Sequence, residues 1–304
     1  TRYTVSVAGD LTDIFGQKLA RPHTSTIQVN DAFPQLDFPA YQKAVLEAST
    51  SRVLPVPAMN IVNPARIRLF SITPEKILEA LDAAVQYGDE TQPAPGDFLG
   101  KPAAVWEMPF NRVKNKREIT PIDLNRALNK KNGVVFVEVK APDLKLIRSL
   151  YRQLLVNITN LGLTVRYDSA AIHALVTGLS DGKPKAGVPV KLYAATRNGV
   201  VRYWEGVTLA DGTVQAPGPE TSKKFTRTLV VAGDDADMTF VLLDGSGIDG
   251  GYVSSYHEYY TPPPPLRVRG HVFTDRDPYR PGETVHITGW LRSETRGPLG
   301  KLGM

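Results

Sequence analysis

The sequence predicts an all-β fold of tandem immunoglobulin/fibronectin-III-like β-sandwiches, one of which carries a helical insertion. Three observations predict it. Short alternating or apolar runs recur along the chain between turn signals. Glycine and proline number 25 and 24 of 304 residues, about one residue in six, which favours turns over long helices. Helix-start patterns are confined to a single stretch of the chain, between Thr73 and Asn129.

The first thirty residues read as short β pieces. YTVSVAG alternates Tyr3, Val5 and Val7 against Thr4, Ser6 and Ala8, and TSTIQV alternates again after the loop DLTDIFGQKLARPH. Two or three strands cannot bury a face alone, so residues 1–33 are expected to be the closing part of an immunoglobulin-like domain. Residues 34–154 read as a β-sandwich with a helical insertion. ARIRLFSI alternates like a strand, and in TPEKILEALDAAVQYG Thr73 stands as N-cap before Pro74, with Ile77, Leu78, Leu81, Ala84 and Val85 on one stripe. TPIDLNRALN gives a second start signal, Thr120 before Pro121 with Asp123 completing a short capping box. The proline-rich ETQPAPGDFLGKPAA between them reads as a loop. In GVVFVEVKAP, Val135, Val137 and Val139 share one face, with Phe136, Glu138 and Lys140 on the other.

From about Tyr151 to Tyr260 eight short runs follow one another: LLVNIT, GLTVRY, AIHALVTGL, VPVKLYAAT, GVVRYWEGVTL, GTVQAP, FTRTLVVAG and MTFVLLD. Turn signals such as SDGKPKAG, ADG and GDDAD separate them, and the series fits one further sandwich, residues 155–264. It ends in TPPPP, a stiff extended connector. Residues 265–304 then offer LRVRGHVF and TVHITGWL joined through YRPGE, where Pro281 fixes φ and Gly282 supplies the positive φ of a type II turn. Two strands are marginal in water. Both ends are therefore expected to be parts of domains belonging to a longer chain.

Composition narrows the function classes. The chain has no cysteine, which removes disulfides, thiol catalysis and thiolate metal sites from these residues. Net charge is +5. The densest basic stretch, Arg112, Lys114, Lys116 and Arg117 followed by Arg126, Lys130 and Lys131, has no aromatic residue between Asn111 and Gly133, so a nucleic-acid groove is not expected. No apolar run approaches the length of a membrane-spanning helix.

Motifs for chemistry are nearly absent. His257-Glu258 begins like a zinc helix motif, yet Thr261 stands where the second ligand would be. GDDAD, residues 233–237, reads as a hairpin turn in preference to a calcium loop. GSGIDGG lacks the lysine and hydroxyl residue of a phosphate loop, and no G-x-S-x-G elbow occurs. His173 and His286 read as ordinary strand residues, and the sequon Asn157-Ile158-Thr159 as incidental. No catalytic, cofactor or metal residue is expected. Tyr252, Tyr256, Tyr259 and Tyr260 are the candidate domain-contact residues, large in area and low in entropy cost.

FTDRDPYRPGETVHITGW, residues 273–290, resembles the strand and turn that open a macroglobulin domain in bacterial α2-macroglobulins, whose pattern is close to FTDRxxYRPGExVxxxG. Phe273, Thr274, Asp275, Arg276, Tyr279, Arg280, Pro281, Gly282, Glu283, Val285 and Gly289 match; Asp277-Pro278 departs. NLGLTVRYDSAAIHALVTGLSDGKPKAGVPVKLY resembles the preceding domain of the same family. The resemblance implies macroglobulin sandwiches and a share in a protease-trapping inhibitor, with proteases and neighbouring domains of the same chain as partners. It implies export to the periplasm or cell surface, any lipid anchor lying outside these residues. The thioester found in many members needs a cysteine in a C-x-E-Q type sequence, which this chain does not contain. A surface adhesin or stalk of similar sandwiches is the alternative reading.

Overall fold

The computed structural model describes residues 2–86, 91–110, 113–147, 149–167, 171–196, 199–218, 227–243, 266–274, 282–295 and 302–303. They divide into two compact units, Thr1–Thr159 and Asn160–Met304.

The first unit opens with an antiparallel hairpin of β1 (Arg2–Val7) and β2 (His23–Gln28), in which Tyr3 faces Ile27 and Thr4 faces Thr26. The alternation read in the sequence is present here. Among the described residues nothing covers its apolar face, however, and Tyr3 and Ile27 remain about half exposed, 54% and 49%.

A sandwich follows. One layer holds β3 (Gln35–Leu36), β5 (Val53–Met59) and β8 (Glu118–Asp123) in the order β3-β5-β8. The other holds β4 (Lys43–Glu47), β6 (Ala65–Ile72), β7 (Ala104–Met108), β9 (Gly133–Lys140) and β10 (Tyr151–Thr159) in the order β4-β10-β9-β6-β7. All neighbours are antiparallel except β4 and β10, which run parallel. Leu54, Val56, Ile67, Leu69, Ile122, Val135, Val137, Val139, Leu154 and Val156 fill the space between the layers.

The outer face of the five-stranded sheet is covered as well, by α1 (Ile77–Ala83) and the 3-10 turn Pro95–Leu99. β9 is consequently buried on both faces: its four valines and Phe136 are fully inaccessible, and so is nearly all of Glu138. Each such apolar side chain contributes about 1.5–3 kcal/mol relative to exposure, which makes β9 the axis of this unit.

Several expectations need correction. Thr73 makes no side-chain cap bond; the chain enters α1 through the 3-10 turn Pro74–Lys76. Ile77, Leu78, Leu81 and Ala84 are buried as expected, but Val85 is 40% exposed because α1 has ended by then. The proline-rich loop is coiled at Pro95–Leu99. Thr120 and Pro121 start no helix. They lie in β8, where Pro121 stands opposite Pro55 of β5, a position that suits two residues without N–H groups because such a pair exchanges no ladder bonds. The helix α2 (Asn125–Leu128) starts later, and Asp123 accepts the Asn125 amide at 2.9 Å. LLVNIT, read with the following sandwich, is β10 and pairs inside the first unit.

The second unit contains β11 (Leu161–Tyr167), β12 (Ala171–Gly178) and β15 (Thr213–Pro217) in one sheet, ordered β11-β12-β15. β13 (Pro189–Thr196), β14 (Gly199–Val207), β16 (Thr228–Gly233) and β17 (Met238–Leu243) form the other, ordered β14-β13-β16-β17. Ile172, Val176, Val190, Leu192, Val230 and Ala232 pack between them. Seven of the eight runs read between Tyr151 and Tyr260 thus become the strands of one sandwich. Further along, β18 (Leu266–Thr274) and β19 (Ile287–Thr295) pair along their length, and β20 (Leu302–Gly303) adds a short third strand that the sequence did not signal. His286 precedes β19 and is not part of it.

Candidate functional site

The two best-built polar clusters lie in the first unit, and neither was anticipated. The first sits beneath the helical layer. Arg68 on β6 stands opposite Glu138 on β9, and its Nε donates to Glu138 Oε1 at 2.7 Å while Nη1 donates to Asp97 Oδ1 at 2.6 Å. Glu138 Oε2 accepts the Gly96 amide at 2.8 Å, and Asp97 Oδ2 accepts the Ala94 amide at 3.0 Å. The guanidinium lies 5.3 Å from the Phe70 ring centre, and Phe70 meets Phe136 edge-on.

Glu138 is only 1% accessible; a lone carboxylate there would be strongly disfavoured. Burial opposes the Arg68 charge, but the bonds to Glu138 and Asp97 outweigh it and hold its pKa above the ordinary arginine value. The Arg68 hydrogen bond, foremost, holds Asp97 below the usual carboxylate range. Gly96 allows the close approach: a Cβ there would come 2.7 Å from the Phe70 ring. The cluster fastens the 3-10 turn to the sheet. Both carboxylates and two of the three Arg68 nitrogens are engaged within the cluster, while Nη2 is buried without a bond, an arrangement suited to holding a segment in place.

The second cluster lies where the segment connecting β2 to β3 meets the sandwich. Asn60 and Asn115 both adopt left-handed φ, 56° and 58°, a conformation that asparagine tolerates better than most residues. The Asn115 amide donates to Asn60 Oδ1 at 2.7 Å, and Asn60 Nδ2 donates to Asn115 Oδ1 at 2.9 Å and to the Ala32 carbonyl at 2.7 Å. Ala32 N donates to Asn115 Oδ1 at 3.0 Å, and Asn115 Nδ2 to Asp31 Oδ1 at 2.9 Å. Lys114 Nζ lies 2.7 Å from Asp31 Oδ2. The Lys114 bond, then that of Asn115, lowers the Asp31 pKa. Because Lys114 and Asp31 are exposed, their ion pair adds little; the two asparagines carry the geometry.

The basic stretch is partly occupied within the chain: besides Lys114, Arg126 lies 4.4 Å from the Trp106 ring centre. In GDDAD, Asp234 Oδ1 accepts the amides of Ala236 and Asp237 at 2.8 and 3.3 Å, and Asp237 Oδ2 accepts that of Asn160 at 3.0 Å. These carboxylates build the turn. Gly233 there has φ +108°, and a Cβ would collide with the Asp237 carbonyl oxygen. His173 is an exposed residue of β12. Asn157 of the sequon is 1% accessible inside β10, with neither amide atom bonded.

Gly282 adopts φ +92° in an exposed turn with open space around it. Asp275, Arg276, Tyr279, Arg280 and Pro281 of the same motif lie outside the described residues, as do Tyr252, Tyr256, Tyr259, Tyr260, His257-Glu258, the glycine-rich stretch 245–251 and the prolines 262–265. Among the described residues no group of three or more His, Cys, Asp or Glu is placed to hold a metal, and no helix is long and apolar enough to cross a membrane.

Two units, each built on a β-sandwich, the first with polar clusters that fasten segments to it, define a protein of modular all-β type. The family described as bacterial alpha-2-macroglobulin MG3 domain matches residues 158–251. The alpha-2-macroglobulin homolog of Nostoc sp. (strain PCC 7120 / SAG 25.82 / UTEX 2576) is 25% identical over 316 residues, covering 95% of this chain and 15% of its own length. Among solved structures, native alpha-2-macroglobulin from Escherichia coli spanning domains MG0-NIE-MG1 superposes with a TM-score of 0.53 at 18% identity, over 80% of this chain and 74% of that one. The NIE-MG1 structure from the same organism gives 0.50 at 21% identity, over 71% and 99%. At these identities the solved structures speak for the fold. The family match and the Nostoc relative make the chain similar to bacterial alpha-2-macroglobulins, and it spans about one seventh of that relative's length.

Proposed function

We propose that this chain supplies framework domains to an exported bacterial protease-trapping inhibitor. The match of residues 158–251 to a macroglobulin domain carries the reading. In such a protein one cut in a bait segment is converted into a large displacement, and conversion needs rigid bodies joined by short connectors. The first sandwich, with its axis strand covered on both faces, has the build of such a body. Cleavage, any thioester and capture of the protease belong to other parts of the full-length protein, and these residues act neither as an enzyme nor as an inhibitor by themselves.

Within this reading residues 1–33 and 265–304 complete their sandwiches with other parts of the longer polypeptide. The tyrosines 252, 256, 259 and 260 contact a neighbouring domain, and Asp275, Arg276, Tyr279, Arg280, Pro281 and Gly282 shape the opening turn of the next. The periplasm or the cell surface is the compartment. The test compares the full-length protein with residues 1–304 as protectors of a large protein substrate and of a small peptide substrate against one endopeptidase. Full-length protein should slow only digestion of the large substrate, and residues 1–304 should slow neither. Inhibition by residues 1–304, or equal loss of both activities with the full-length protein, would overturn the assignment.

A further inference from the structure

The β1–β2 hairpin presents an apolar face that no other described element covers, and it is joined to the first sandwich through the six residues 29–34. A single irregular segment of that length would let the hairpin swing. Yet the segment is gripped midway, at Asp31 and Ala32, by groups that belong to the sandwich: Asn60 after β5, and Lys114 and Asn115 between β7 and β8.

We propose that Asp31, Ala32, Asn60, Lys114 and Asn115 form a latch that sets the direction in which the hairpin leaves the sandwich. The connections are reciprocal. Asn115 receives Ala32 N and Asn60 Nδ2 on its oxygen and gives its own Nδ2 to Asp31, so its whole side chain is committed to the joint. Asn60 is 8% accessible and fixes Asn115 from the core side. The outer members are exposed, and bonds of that kind are individually weak. Such a latch favours one direction and yields to a modest pull, whereas an apolar interface of standard size would resist it. The inference holds whether or not the protein traps proteases.

The absence of cysteine makes paired spin labels straightforward: Thr26→Cys on the hairpin and Lys101→Cys beyond the 3-10 turn. The labelled chain should give one narrow distance distribution. Asn115→Gly, which accepts the left-handed φ without the side chain, and Asn60→Gly with Asn115→Gly should broaden it at least two-fold while the melting temperature of the sandwich changes little. Asn115→Asp keeps size and φ but sets a carboxylate against Asp31, and should broaden it as well. A distribution that is already broad in the labelled parent, or one unchanged by Asn115→Gly and Asn115→Asp, overturns the latch. Should the double variant fail to fold, the isosteric Asn115→Asp decides alone.

Discussion

Replacing Glu138 by glutamine changes no volume and removes one charge, so it isolates what the buried carboxylate does for Arg68. Glu138 has two bonded oxygens, one facing Arg68 Nε at 2.7 Å and one facing the Gly96 amide at 2.8 Å. A glutamine has one acceptor oxygen, so one of these contacts becomes donor against donor. Stranding a buried charge by removing its partner costs about 3–5 kcal/mol. Arg68 keeps Asp97 at 2.6 Å, though Asp97 is 46% exposed and screened by water, so the expected loss is about 2–3 kcal/mol.

Urea unfolding followed by Trp106 fluorescence, with Trp204→Phe and Trp290→Phe to silence the other tryptophans, reads the first unit alone. With a slope of about 2 kcal/mol per molar urea, the midpoint should fall by about 1–1.5 M. Adding Arg68→Met should restore much of it, because no cation is then stranded. A fall below about 0.3 M, or no recovery in the combined variant, would refute the claim that the pair holds the helical layer to the sheet.

Two further outcomes are expected. Asn157→Leu should raise the stability of the first unit by about 1–2 kcal/mol, since the buried amide has no bonded atom and an unsatisfied polar group costs about 1–3 kcal/mol; thermal unfolding checks it, and a loss of stability would mean the amide is satisfied. Acid should weaken the same unit through Asp97. Its folded pKa lies below the ordinary 3.8, so its contribution is complete above that value and disappears as pH falls through the lower folded pKa. The unfolding midpoint of Asp97→Asn should therefore lie below that of the parent at neutral pH and converge with it once the pH has fallen below the lowered folded pKa; parallel curves would exclude the linkage.

Strand alternation made much of this fold legible. GVVFVEVK told which residues share a face, but not that the second face is covered too, because alternation describes a strand and not what lies over it. The acidic residue amid that apolar run was the available signal: a carboxylate in so apolar a strand calls for a buried cation. Thr120-Pro121 misled because proline at a first helical turn and proline in an edge strand look alike locally, and the deciding partner, Pro55, lies far away in sequence. LLVNIT was assigned to the wrong sandwich for the same reason, its neighbours being Lys43–Glu47 and Gly133–Lys140. Asn60 and Asn115 gave little warning, since isolated loop asparagines are common and only their pairing makes a joint. Of the turn motif singled out in the sequence, Gly282 is described, with the positive φ expected of it.

The parallel alignment of β10 with β4 joins Leu155 to Lys43 and Thr159 to Glu47, partners more than a hundred positions apart. Long loops must close before such contacts form, which makes assembly slow. During synthesis β4 therefore waits as an open sheet border until the last strand of its module emerges, and throughout that interval it is available to any passing strand. The first module is the place where a chaperone would have most to protect, and where translation speed would most affect the yield of correctly formed protein.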